Sequence, residues 1–114
     1  MAYNEQLSDR IRMALDGTDN LVEKRMFGGI VFMINGKMCL GVDKDDLLIR
    51  CLPEIADKLL SKKGARPFDL TGKPMKGWLL VSKDGASSKS DFDFWISTAL
   101  EANSKITSLK KPAH

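Results

Sequence analysis

Ile30-Val31-Phe32-Met33-Ile34-Asn35-Gly36-Lys37-Met38-Cys39-Leu40-Gly41-Val42 is the stretch on which the fold turns. Five consecutive apolar residues, rich in branched and aromatic types, predict a central strand covered on both faces. Asn35-Gly36 follows, and a two-residue type I′ turn needs positive φ at both positions, which this pair tolerates. Lys37 to Val42 is then the returning strand. A second hairpin through Asp43-Lys44-Asp45-Asp46 leads into Leu47-Leu48-Ile49-Arg50-Cys51, so three antiparallel strands follow directly. The expected pairing sets Val42 against Leu47, Leu40 against Ile49 and Met38 against Cys51. Cys39 then faces Arg50, and the Cys39 and Cys51 thiols point to opposite faces. A one-residue slip would instead bring the thiols together, so any redox role hangs on the register.

Working towards the N-terminus, Gly28-Gly29 predicts a bulge or turn, and Val22, Lys24 and Met26 begin an alternating strand. Leu7, Ile11, Ala14 and Leu15 form an apolar stripe that predicts an amphipathic helix over 3–16, ended by Gly17. Towards the C-terminus, Pro53 suits the first turn of a helix over about 53–62, with Ile55, Ala56, Leu59 and Leu60 buried and Gly64 as its stop. Trp78-Leu79-Leu80-Val81 reads as a further strand and Ser87 to Ser90 as a short flexible link. A last helix is capped by Ser90, with Asp93 as the capping-box acid, and buries Phe92, Trp95, Ile96, Ala99 and Leu100. Residues 1–3 and 108–114 are expected to be flexible. The prediction is a single α+β domain over 1–114: an antiparallel sheet of about four to five strands, with helices at the N-terminus, middle and C-terminus.

Residues 64–78, Gly64-Ala65-Arg66-Pro67-Phe68-Asp69-Leu70-Thr71-Gly72-Lys73-Pro74-Met75-Lys76-Gly77-Trp78, are the densest in special residues. Glycines and prolines forbid a regular helix there, yet Phe68, Leu70, Met75 and Trp78 are too apolar to be left in solvent. An ordered loop packed onto the body is expected, formed by Gly64, Pro67, Phe68, Gly72, Pro74, Met75, Gly77 and Trp78. It would hold Arg66, Lys73 and Lys76 at set places near Arg50, a candidate surface for a partner or an anion. The competing reading makes Phe68 and Met75 a plug on the sheet, with the cations merely solvated. Trp78 and Trp95 read as core anchors.

Composition bounds the function. The 114 residues are 43% hydrophobic and 29% charged, with a formal charge of +3. That bias would help an acidic partner but is far from the footprint of a dedicated DNA binder. The N-terminus lacks the basic start and apolar core of a signal peptide, so the two cysteines are expected to be reduced thiols in a cytoplasmic protein. The one histidine, His114, stands at the end of the chain, which leaves His-dependent catalysis and zinc chemistry little to build on. Gly72-Lys73 fails as a phosphate loop because Phe68 and Pro74 occupy required positions. Asp43 and Asp45 fail as a calcium loop because Leu47 and Leu48 stand where a ligand and a glycine are needed. No catalytic residue, metal or cofactor is assigned.

Glu23-Lys24-Arg25-Met26-Phe27-Gly28-Gly29, then Asn35-Gly36-Lys37-Met38, then Gly64 to Phe68, then Gly72 to Trp78, resembles the TfoX/Sxy N-terminal domain family over nearly the whole chain. Leu70 departs from the aromatic expected at its position. The resemblance implies a compact α+β domain of the bacterial cytoplasm, related to regulators of natural competence that act with the cyclic-AMP receptor protein. It brings no catalytic residues. Full-length regulators of this kind also carry a C-terminal helical domain. The expectation is a non-enzymatic regulatory or adaptor domain acting through protein binding, self-association included. The alternatives are nucleic-acid binding through the basic segment, or binding of a small anionic ligand.

Overall fold

The computed structural model describes residues 3–26, 29–69 and 74–110. The elements run α1 (Glu5–Ala14), β1 (Leu21–Met26), β2 (Gly29–Ile34), β3 (Lys37–Asp43), β4 (Asp46–Arg50), a 3₁₀ turn (Pro53–Ile55) continuing into α2 (Ala56–Leu59), β5 (Ala65–Asp69), β6 (Pro74–Val81), α3 (Lys83–Ala86) and α4 (Lys89–Lys110). The six strands form one sheet in the order β1-β2-β3-β4-β6-β5, and every neighbouring pair is antiparallel. The α+β class is as expected, with more strands than the four to five read from the sequence. No helix among the described residues is long and apolar enough to cross a membrane.

The additional strand comes from the Gly/Pro segment. Residues expected to form a loop before Trp78 are instead a hairpin, β5 and β6, in which Arg66 pairs with Leu80 and Asp69 with Pro74. Proline is admitted because β5 is an edge strand, and the register shifts between Pro67 and Asp69. The middle helix is shorter than expected, a 3₁₀ turn and one α-turn. The cap of the last helix also differs. Ser88, not Ser90, accepts the Asp91 amide at 3.1 Å through its Oγ, which moves the helix start into the expected link.

The two faces of the sheet are unlike. Leu7, Ile11 and Leu15 of α1 and its C-cap pack with Phe92, Trp95, Ile96 and Ala99 of α4 over Ile30, Phe32, Leu40, Val42, Leu47, Ile49, Leu79 and Val81. This is the main core, and Trp95 is its largest fully buried side chain. The Trp95 Nε1–H donates to the Gly85 carbonyl at 3.0 Å, so the indole is satisfied without water. Gly85 in turn lies against Gly64. A Cβ on Gly64 would come within 2.9 Å of the Gly85 Cα, and Gly64 holds φ at +81°, so both packing and backbone require glycine here. On the other face, Val31, Leu48, Phe68 and Leu80 form a second cluster made of strand residues alone, flanked by Met33, Met38 and Trp78.

The expected register from β3 to β4 is present, Val42 with Leu47 and Leu40 with Ile49. The inference drawn from it about the thiols is not. Between β2 and β3 the pairing steps from Phe32–Leu40 to Met33–Met38, so Cys39 is the extra residue of a bulge. Cys39 and Leu40 consequently both enter the main core, where Cys51 also lies. Both cysteines are free and buried, on the same face of the sheet.

Candidate functional site

The second face carries the sequence-predicted residues that the structure brings together. Arg50 and Trp78 are direct cross-strand partners on β4 and β6, and the guanidinium lies 5.2 Å from the centre of the indole. Phe68 from β5 packs beside Trp78, with centroids 6.4 Å apart and the rings tilted by 49°. Phe68 is only 5% exposed and belongs to the second cluster, so it is a plug on the sheet, whereas Trp78 is half-buried. Trp78 is therefore no core anchor; Trp95 is.

Arg66, one strand further out, pairs with Asp46 of β4 through its Nη2, reaching across the intervening β6. Its charge is thereby offset, although the side chain stays 49% exposed. Gly64 closes against α3, Pro67 sits exposed on the edge strand, and the Gly77 carbonyl accepts the Cys51 amide at 2.7 Å. That last bond extends the β4–β6 ladder by one residue beyond Arg50. Gly72 and Lys73 lie outside the described residues, as do the side chains of Pro74, Met75 and Lys76.

Sequence reading missed Met33 and Met38 as companions of this site. They alternate out of the main core onto the Trp78 face, and the signal was their period-two placement against Phe32 and Cys39–Leu40. The resulting surface has an arginine on an indole, an ion-paired arginine beside it, and two half-buried methionines. Trp and Arg supply the rigid contact area and directional hydrogen bonds typical of protein-binding hot spots, and methionine adapts to the shape of what it meets.

A separate cleft of about 140 Å³ opens between α1, α3 and the ends of β4 and β6, floored by Leu7, Leu47, Val81 and Ala86. Arg10 lines it, but its Nη1 already donates to the Ala86 carbonyl at 3.0 Å and its guanidinium stacks 4.0 Å from the Phe92 ring. None of Arg50, Arg66 or Trp78 reaches this cleft. Among the described residues no three His, Cys, Asp or Glu side chains are grouped as metal ligands. The thiols are shielded. Burial pushes Cys39 up to about 12, against the lowering pull of the Arg50 charge, and burial followed by the Glu54 charge raises Cys51.

The architecture defines a small α+β domain whose single sheet is covered by helices on one face and bears an Arg, Trp and Met surface on the other. The family model of the TfoX N-terminal domain matches residues 13–103, and the chain belongs to that family. The matched span runs from the end of α1 to well within α4, so it contains the whole sheet. No curated protein and no solved structure matches the chain significantly.

Proposed function

We propose that this domain is a non-enzymatic regulatory or adaptor domain that works by binding a protein in the bacterial cytoplasm, with the Arg50–Trp78 face as its docking surface. The observation that carries this reading is the pairing of Arg50 with a half-buried Trp78, beside Met33 and Met38, on the sheet face not used by the helices. Membership of the TfoX N-terminal domain family supports a regulatory role at the level of the family. The partner that follows is a component of the transcription machinery, with the cyclic-AMP receptor protein the first to test.

Titration of the purified receptor protein with the wild-type domain, with Arg50→Ala/Trp78→Ala and with Arg66→Ala/Lys73→Ala/Lys76→Ala tests the reading. Loss of binding of about tenfold or more in the first variant is expected of a buried Arg/Trp contact. Equal binding by all three proteins would remove this face as the interface.

Direct nucleic-acid binding is the second reading, through the basic residues of the hairpin. The pairing of Arg66 with Asp46 weakens it, because that cation is already offset. Binding of this kind declines steeply as salt rises, and failure to retain DNA or RNA at low salt eliminates it.

A further inference from the structure

The two edges of the sheet are built differently. At β5, the Ser82 amide donates to the Gly64 carbonyl, so Gly64 and Arg66 turn their backbone groups inward to β6 and Pro67 faces out. The outward position has no N–H, and the register shift between Pro67 and Asp69 follows it. This edge is closed to further strands in the usual way. At β1, the Asn35 amide donates to the Asn20 carbonyl. By the same alternation Val22, Lys24 and Met26 bond to β2, and Leu21, Glu23 and Arg25 present their backbone N–H and C=O groups outward. Leu21–Met26 has no proline, no glycine and an unbroken register against β2, and Val22 to Arg25 are all exposed. Among the described residues no strand lies beyond it.

We propose that β1 is a self-association edge, on which a second copy of this chain adds its own β1 antiparallel about a two-fold axis at Lys24. A perpendicular two-fold axis keeps each side chain on its own face, so it must pass through one residue, and charge selects which one. With the axis at Glu23 the two carboxylates would be paired with each other. With the axis at Lys24, Glu23 of each copy stands opposite Arg25 of the other, and both are positions whose backbone groups face outward. Each such pair exchanges two backbone hydrogen bonds and adds an ion pair on the helix-covered side. Glu23 is already held there by Arg12, whose Nε and Nη2 lie 2.8 and 2.9 Å from its carboxylate oxygens. The carboxylate is thus fixed in place to receive a second guanidinium. On the other face Val22 is 51% exposed. The two Lys24 side chains, both exposed, meet at the axis on the face away from the helices, where their screened like-charge repulsion subtracts from the two Glu23–Arg25 pairs and keeps the association weak.

Sedimentation velocity over a concentration series tests the pairing. The wild-type chain is expected to shift from monomer towards a doubled mass as its concentration rises to about 1 mM, the range of weak reversible association. Arg25→Pro removes an outward donor without touching the bonds to β2 and is expected to stay monomeric with an unchanged circular-dichroism spectrum. Charge reversal fixes the register independently of that variant's folding. Glu23→Arg alone and Arg25→Glu alone each set like charges opposite one another and should be monomeric. An equimolar mixture of the two restores both oppositely charged pairs and should dimerise. A wild-type chain that stays monomeric throughout, a dimer that survives Arg25→Pro, or a mixture no more associated than its components would each overturn the proposal.

Discussion

The thiol of Cys39 donates to the Ala99 carbonyl at 3.5 Å, tying the bulge of β3 to the middle of α4. Burial lifts this thiol from an ordinary 9.0 to about 12. The unfolded chain therefore releases its proton near 9 while the folded chain keeps it, and the stabilisation is lost as pH rises from about 9 to about 12. Urea melts across that window should show stability falling with pH, with a shallower fall for Cys39→Ala. An identical slope in both proteins would assign the loss to other groups.

The helix start at Ser88 gives a sharp contrast between neighbours. Ser88→Ala leaves the Asp91 amide without its acceptor and should cost about 1 kcal/mol. Ser90→Ala, inside the first turn, should change stability by less than about 0.5 kcal/mol. Thermal unfolding of the two variants distinguishes them, and a larger loss at Ser90 would return the cap to that residue.

Gly17 and Gly64 hold similar left-handed backbones, with φ at +86° and +81°, but only Gly64 has neighbours where a Cβ would go. Gly17→Ala should cost about 1 kcal/mol from the backbone alone. Gly64→Ala adds contacts at 2.8 to 2.9 Å with Ser82 and Gly85, and is expected to cost about 1–3 kcal/mol more. Chemical denaturation measures the difference, and equal losses would show that the Gly64–Gly85 approach yields without strain.

Arg66 and Asp46 form a surface pair, and pairs so exposed contribute little to folding. Arg66→Ala should lower stability by less than about 1 kcal/mol. A binding defect in this variant would then report on the surface itself, provided its denaturation midpoint matches the wild type.

Asn35-Gly36 was legible in the sequence because its chemistry is local: φ is 56° and 77° at the two residues, as a type I′ turn requires. The buried stretch of β2 and the β3–β4 register were legible for the same reason, since alternation and a short turn fix them. The face of Cys39 was not. A bulge is a tertiary accommodation, and nothing in Met38-Cys39-Leu40 marks which residue is left unpaired. The hairpin of β5 and β6 was hidden by its prolines and glycines, which exclude a helix but not a strand here: Pro67 lies on the edge strand and Pro74 is the first residue of β6. Among the site residues, Phe68 was readable as a plug from its hydrophobicity alone. The Arg50–Trp78 contact needed the pairing of β4 with β6, twenty-eight positions apart in sequence, which no local pattern encodes.

The chain entering β5 at Gly64 rests on Gly85, and the carbonyl of Gly85 holds the indole of Trp95. The hairpin that carries Phe68 and Arg66 is therefore seated on the same turn that sets the surroundings of the most deeply buried fluorophore. In a Trp78→Phe background, the emission of Trp95 becomes a built-in optical gauge of whether that hairpin is in place.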